Sequence, residues 1–479
     1  MSHFTLVTPR FLPPLDPEFC PPVLANHAFR AEVAAAGGVP LVLGLEAADG
    51  TLVRYTTPVF APDHPRAAAN LPYVERLVKF LLWQVGGWRL YVGGPRAIAE
   101  ALQQVYAPTG ARAFDDQFMT DIYERPFTVV SCAPEAVPPA RLLDRPLGRH
   151  LEGCRIGFDL GASDRKASAV IEGEPVYSEE VIWAPRDHAD PEYHYRELRA
   201  AIHAAAAHLP RVDAIGGSSA GVIINNRPMV ASLFRGVPPE RYGEIRSLFL
   251  RIGAELSVPI EVANDGDVTA LAGSMSLEAN GVLGIALGSS EAAGYVNAEG
   301  NITGWLNELA FAPVDYNPDA PVEEWSGDRG CGASYFSQQA VFRLAPRAGI
   351  ALPDDAPLAE KLQIAQEHLE AGHAGARQIW ESLGVYLGYS LAHYADFYSD
   401  CRHVLILGRC TSGSGGEIIV REAHTVLQSE FPELAEQLHL HLPDEKTRRV
   451  GQAIAAASLP AGPRQECQES CESPTTSKH

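Results

Sequence analysis

Residues 153–170 read GCRIGFDLGASDRKASAV. From Cys154 to Leu160 the run is mostly apolar, so it reads as a buried strand, and it ends with Asp159 near its tip. Gly161, Ala162 and Ser163 turn the chain, and the residues to Val170 read as a returning strand. Two readings fit. Gly and Asp are ordinary hairpin residues. Small residues after a strand also leave backbone N–H groups open to phosphate oxygens, with Asp159 placed to hold the Mg²⁺ that accompanies ATP, directly or through water. Taken alone, the stretch favours the plain hairpin.

Working outward, the chain alternates between strands and helices. ASAVIEG and PVYSEEVIW read as further strands, followed by an alanine-rich helix from Tyr195 to His208. Strand DAIGGSS, a helix around PERYGEIRSLFLRIGAEL and strand PIEVAND come next, then a short helix and the strands GVLGIALGSS and AGYVNAEGNI. A long helical region from APLAEKLQIAQ to GVYLGYSLAHYADFY leads into strand HVLILG and more helix. Strand meanders mixed with βα crossovers predict an α/β architecture with mixed sheets. Upstream, VPLVLGLEAADGTLVRYTTPVF reads as a hairpin about Asp49-Gly50. YVERLVKFLLWQV has helical spacing, WRLYVGG is a strand, and EAVPPARLLDRPLGRHLEG reads as a linker. The polar tail PRQECQESCESPTTSKH predicts disorder.

Composition narrows the class. With 479 residues, 46% of them hydrophobic and 20% charged, the chain reads as a globular protein of two or three domains. A net charge of -21 disfavours nucleic acid as a partner, because phosphate backbones are bound through Lys and Arg. The eight cysteines are scattered without a CxxC pair, which predicts free thiols in a reducing compartment. MSHFTLVTPRFLPPLDPEF lacks the pattern of a signal peptide, and no apolar run has the length of a membrane span. The expected location is the cytoplasm, with no membrane partner.

Three more segments repeat the strand-then-glycine plan. In VPIEVANDGDVTALAG a strand delivers Asn264 and Asp265 to a helix start. An Asp there is usually a cap. The functional reading makes Asp265 a general base that takes a proton from a hydroxyl attacking a phosphoryl group, with Asn264 holding the neighbouring hydroxyl. Asp267, in the same first turn, reads as a helix-dipole residue. In GIALGSSEAAGYV, Gly288, Ser289 and Ser290 turn between two strands and could face phosphates. HVLILGRCTSGSGGEIIV runs a buried strand through Gly408 into a Gly/Ser loop and a helix, a common place for a nucleotide. The order of the four is stronger than any one. The histidines His194, His203 and His393 read as structural or exposed.

In that order the segments resemble the ROK-family sugar kinases of the actin/hexokinase/Hsp70 superfamily. FDLGASDRKASAV is similar to the family's first phosphate loop, with Ala162 where a second glycine usually stands. DAIGGSSAGVIINNRPMVASLFRGVP resembles the strand and turn before the sugar site, with Ala220 in place of proline. EVANDGDVTALAG matches the catalytic Asn-Asp helix start best. ALGSSEAAGYV resembles the second phosphate loop with two glycines missing, VLILGRCTSG the adenosine segment, and RRVGQAIAAASL the closing helix. The resemblance spans roughly Gly153 to Leu459. It implies two RNase H-like lobes with mixed sheets around a nucleotide cleft, at 150–262 and 263–459, with an N-terminal α/β extension at 1–149 and a disordered tail at 460–479.

Departures accompany it. The family's Gly-Glu-x-Gly-His stretch supplies a glutamate for the sugar and a histidine for sugar and zinc. Here it reads NELAF: Glu308 stays, and Phe311 replaces the histidine. Where the family's zinc loop runs CxCGxxGCxE, this chain has EWSGDRGCGA. Gly327, Gly330 and Cys331 remain, Glu324 and Ser326 replace two cysteines, and Ala333 replaces a sugar-binding glutamate. One thiolate cannot build a tetrahedral zinc site, so no zinc is expected. The resemblance thus implies a glucokinase-like kinase of a sugar or polyol, with ATP and Mg²⁺ held through Asp159, Gly161, Ala162, Ser163, Gly288, Ser289, Ser290 and Gly408. Asn264 and Glu308 would orient the substrate and Asp265 would be the base. The alternative is a non-catalytic sugar or nucleotide sensor on the same scaffold; a homodimer is the assembly expected. The first third leaves its role open. Its strand–turn–strand outline, with Glu46 near the place of Asp159, allows a degenerate second copy of the fold, although hairpins are common. It lacks a basic recognition helix, so DNA binding is disfavoured.

Overall fold

A computed structural model describes residues 4–47, 50–142, 147–442 and 445–461, with side chains from residue 451 onward in the last span. The N-terminal part runs α1 (Pro22–Ala35), β1 (Val39–Glu46), β2 (Leu52–Val59), α2 (Asn70–Val85), β3 (Arg89–Gly93), α3 (Arg96–Val105), α4 (Ala113–Tyr123) and β4 (Thr128–Cys132). A meander follows: β5 (Cys154–Leu160), β6 (Asp164–Ile171) and β7 (Glu174–Ile182). Next come α5 (Pro191–Ala206), β8 (Ala214–Ser219), the small hairpin β9 (Val222–Ile224) and β10 (Arg227–Val230), α6 (Tyr242–Arg246), α7 (Leu248–Leu256) and β11 (Ile260–Asn264). The last part holds α8 (Asp265–Leu277), β12 (Val282–Leu287), β13 (Glu291–Val296), α9 (Gln338–Leu344), α10 (Leu358–Glu370) and α11 (Ala374–Tyr394). It closes with β14 (His403–Leu407), α12 (Gly415–Glu430), α13 (Pro432–Gln437), β15 (His439–His441) and α14 (Glu445–Ala457).

The opening stretch is a hairpin, β5 to β6, in register from Cys154↔Ile171 to Leu160↔Arg165. It sits in a five-stranded sheet of order β11-β8-β5-β6-β7, where β5, β8 and β11 run parallel and β5–β6–β7 antiparallel. β5 is buried on both faces, which is why it reads as an apolar run. Gly157 and Gly216 lie under α14: a Cβ on either would overlap the backbone of Ala453 or Ala456. The closing helix therefore packs directly on the sheet backbone. A second sheet, β13-β12-β14-β15, pairs β12 antiparallel to β13 and parallel to β14. The short strand β15, paired with β14, was not legible in the sequence.

The N-terminal hairpin β1–β2 pairs Val39↔Val59 through Glu46↔Leu52; Asp49, read as part of its turn, lies outside the described residues, as does the tail from 462. This region is not a second copy of the fold. β1 pairs antiparallel with β3, where the corresponding β5 and β8 are parallel, because only two meander strands precede α2 whereas three precede α5. Glu46 accepts a hydrogen bond from Tyr91 and faces Arg89, so its carboxylate is committed within its own sheet. The region does not stand apart either. One hydrophobic cluster runs from Phe19, Val23 and Trp83 to Tyr386 and Leu405's neighbours Val404 and Ile406. Burying such a continuous apolar mass is the main driving force for docking it.

Candidate functional site

Register puts the site together. The parallel strands β5, β8 and β11 align Asp159 with Ser218, and Ser219 with Asn264. Their carboxyl ends therefore share one edge, the position where open α/β sheets receive ligands. Ser218 Oγ donates to Asp159 Oδ1 at 2.7 Å, and Lys166 Nζ lies 3.7 Å from Oδ2. Burial pushes the Asp159 carboxyl up despite those partners. Asp159 shares Lys166 with Asp164, whose Oδ1 lies 3.0 Å from Nζ; one carboxylate of this kind is enough to hold Mg²⁺ that keeps most of its waters and arrives with phosphate.

At the end of β11 the chain turns into α8. Asn264 is the N-cap: its Oδ1 accepts from Gly266 N at 2.7 Å and its Nδ2 donates to Gly221 O at 2.9 Å. Asp265 is the first helical residue, and its Oδ1 also accepts from Gly266 N, at 3.0 Å. Burial, and then the nearby Asp159 charge, raise its carboxyl to about 6. Glu308 is the next carboxyl in the chain of repulsions; burial and the charges of Asp265 and Asp267 push it up to about 8. The structure thus brings together Asp159, Asp265 and Glu308, which the sequence separates widely. A cavity of about 100 Å³ opens beside β11, lined among others by Asn264, Asp267, Val222, Asn226 and Trp305.

The glycine turns are more occupied than their composition suggests. Gly161 N donates to Asp164 O at 3.0 Å, closing the hairpin, and Gly288 N donates to Ser290 O at 3.1 Å. Both amides are spent inside their turns, and Gly161 O also accepts from Trp183 Nε1. Ala162, Ser163, Ser289 and Ser290 are exposed at the tips. Ser163 Oγ donates to Asp164 Oδ2. Gly408, at φ +101°, must be glycine: a Cβ would meet the Leu287 backbone at 2.5–2.6 Å. That contact sets the β14 loop against the β12–β13 turn. Arg409, just beyond it, helps to hold the Asp164 carboxyl low, behind burial (which opposes it) and Lys166 and Ser163. The first hairpin and the β14 loop therefore face each other.

One acidic residue had gone unassigned and another was only partly read. Asp267 stands in the first turn of α8, as its helix-dipole reading had it, but it is also buried, and its Oδ1 accepts from Tyr295 N at 3.2 Å and Asn307 Nδ2 at 3.0 Å. Burial raises its carboxyl to about 7. Glu291 opens β13 with 3% exposure, and neither carboxyl oxygen has a hydrogen-bond partner among the described residues. Burial, then the Glu308 charge, raises it to about 8. A carboxylate next to Gly-Ser-Ser was visible in GSSEAAG, but its burial was not.

The departures also find physical places. Phe311 packs its ring 4.3 Å from Trp83 and beside Phe114 and Trp325. Cys331 is fully buried, its thiol 3.7 Å from Asp328, and burial raises it to about 12. Asp328 in turn meets Lys79, Arg76 and Arg112 at 3.3, 3.1 and 2.6 Å. Fixed cations already fill the surroundings of that thiol, which is chemistry opposed to a bound metal ion. Among the described residues no group of three or more His, Cys, Asp or Glu converges as a metal site, and no helix is long and apolar enough to cross a membrane.

No protein-family model matches the sequence, and no curated protein matches it. Solved structures do. A ROK family transcriptional regulator, a homolog of the E. coli MLC protein, is 18% identical with a TM-score of 0.50, covering 64% of this chain and 79% of its own. A ROK family glucokinase from Streptomyces griseus, in complex with glucose and AMPPNP, is 20% identical at a TM-score of 0.48, over 64% of this chain and 99% of that one. A ROK hexokinase from Thermus thermophilus is 16% identical at 0.49, over 63% and 97%. With its parallel β5–β8–β11 edge, antiparallel meander and second mixed sheet, the chain has the ROK-family fold, in a divergent form that carries an added N-terminal α/β region.

Proposed function

We propose that the protein is an ATP-dependent kinase of a sugar or sugar-like polyol hydroxyl. The observation that carries this reading is Asp265. It stands at a helix start beside Asp159, with its carboxyl raised to about 6, so it is ionised yet basic near neutral pH. In the reaction the acceptor hydroxyl oxygen bonds to the γ-phosphorus, the bond to the ADP oxygen breaks, and the hydroxyl proton passes to Asp265. Asn264 and Glu308 orient the acceptor. Glu308, raised to about 8, is protonated at neutral pH and can donate as well as accept. Asp159 would hold the Mg²⁺ that neutralises phosphate charge, and the exposed turns at Ala162–Ser163 and Ser289–Ser290, with the Gly408 loop, would face the phosphates and nucleoside. The Streptomyces griseus glucokinase, in its complex with glucose and AMPPNP, agrees with this ligand pair.

A second reading keeps the ligands and drops the chemistry: a sugar or nucleotide sensor. Phe311 and Ala333 in place of polar residues, and the fold shared with a ROK transcriptional regulator, favour it. ADP release measured over sugars, amino sugars and cyclitols separates the two. Turnover on any acceptor supports the kinase; ligand-induced stabilisation without ADP supports the sensor.

A further inference from the structure

The N-terminal region reaches the candidate site through the C-terminal turn of α2. The last carbonyls of a helix have no partner inside it. Here Trp83 O accepts from Glu308 N and Gln84 O from Asn307 N, each at 2.9 Å. The peptide units that aim Glu308 are thus the cap of α2. Asn307 adopts the left-handed conformation, φ +49°, which Asn tolerates better than most residues. Its Nδ2 donates to Asp267 and its Oδ1 accepts from Tyr398 at 2.9 Å, tying the turn to α8 and to the segment after α11.

The helix is itself anchored. Lys79, 1% exposed, donates to both oxygens of Asp115 at 3.0 and 3.1 Å and lies 3.3 Å from Asp328. Trp83 Nε1, one turn on, donates to the same Asp115 at 2.9 Å. Burial opposes the Lys79 charge, and Asp115 and Asp328 outweigh it. Asp328 leads into Cys331–Gly332, and Gly332 N donates to Ala312 O at 3.0 Å. The Leu309–Ala312 turn is thereby held on both sides, by α2 and by the 328–332 segment.

We propose that the N-terminal region is the positioning element of the substrate carboxylate: α2, anchored by Lys79 to Asp115 and Asp328, caps onto Asn307 and Glu308 and sets where Glu308 points. This rests on reading Glu308 as a substrate contact. Lys79 touches neither substrate nor nucleotide; it acts through α2. Without the anchor the last turn of α2 can shift, and a misplacement of about 1 Å costs on the order of 10²-fold in a reaction that depends on orientation.

The test uses the full chain and a paired variant, Lys79→Met with Asp115→Asn, so that no buried charge is left alone. Amide hydrogen exchange is followed across 305–312 and, as a control, across β5. We expect protected Asn307 and Glu308 amides in the wild type, exchange at least tenfold faster in the variant, and unchanged β5. With an active acceptor, KM for the acceptor should rise about tenfold while KM for ATP stays, and Lys79→Arg should restore most of both. Unprotected wild-type amides at 307 and 308 overturn the proposal, as does a folded variant with wild-type exchange. Should the paired variant not fold, Asp328→Asn, which keeps the shape of the site, carries the same exchange test. Faster exchange in a protein whose wild type forms no ADP with any acceptor sinks the kinase reading and leaves the positioning of Glu308 standing.

Discussion

At the scale of single residues, the site is a chain of carboxyls held above their usual range, and this sets two expectations. Asp265→Asn keeps the shape and an oxygen that can accept from Gly266, but it removes the proposed base. Single-turnover ADP formation should fall by about 10²–10⁴. The variant should melt no lower than the wild type at pH 8, because a buried charge, repelled also by Asp159, has gone. Undiminished turnover would end the catalytic assignment. Glu291 tests the same electrostatics away from the chemistry. Its folded value, about 8, lies above the unfolded value near 4.5, so the native state binds the extra proton between them. Stability must then fall as pH rises through that window. Glu291→Gln removes the titration. Its advantage over the wild type in thermal melts should be smallest below pH 4.5, grow toward pH 8 and then level off, reaching at most about 5 kcal/mol. A difference that does not change with pH would show that Glu291 is neutralised by another route. Asn264 and Asp265 were legible as a pair because N-cap chemistry is local. Asp267 was not, since β13 and Asn307 bury it, and neither was Glu291, which the distant Gly332 and Tyr394 of α11 cover.

At the scale of elements, the site depends on backbones that touch. β13 lies so close to the first turn of α8 that a Cβ on Gly294 would lie 2.2–2.3 Å from the Gly266 carbonyl carbon and the Asp267 N. Both obstacles are backbone, so Gly294→Ala must push the start of α8 away from the sheet. Overpacking of this kind costs about 1–3 kcal/mol. The shift moves Asp265, so turnover should drop more than stability does. Denaturant unfolding and kinetics on one preparation check this; full activity in a destabilised variant would show that α8 moves as a unit without disturbing the site. Metal content belongs to this scale too. With Lys79 and Arg112 gathered at Asp328 beside Cys331, metal analysis of the purified protein should find no stoichiometric zinc. One tightly held zinc per chain would mean that the 324–333 loop rearranges. The hairpin β5–β6, the strand–helix step at Asn264 and the β14 loop were all readable, because their turns rest on neighbouring residues. The missing β15 is too short to leave a pattern.

At the scale of the whole molecule, α14 lies on the backbone of β5 and β8 and also packs with α8, so it bridges the two sheets. Phosphoryl transfer demands a closed, water-poor site, and such closure is commonly a rotation of lobes. Small-angle scattering should therefore show a smaller radius of gyration with ATP and an active acceptor together. Equal compactness with and without them would sink the hinge, placed at the entry to β11 and before α14. The sequence by itself determined the mixed-sheet fold and the order of its glycine loops, because each motif is a few residues whose backbone chemistry is self-contained. The family resemblance also set Phe311 and Ala333 where polar residues were expected. What occupies their surroundings was decided only by the tertiary structure. Arg76 and Asp328 pair across 252 positions, and the Trp83 and Gln84 carbonyls meet Glu308 and Asn307 from a region that the sequence left without a role. No local pattern encodes such contacts. They exist because the apolar face of α2 buries itself in the core shared with α11, and that burial carries its buried charges and its open carbonyls to the site.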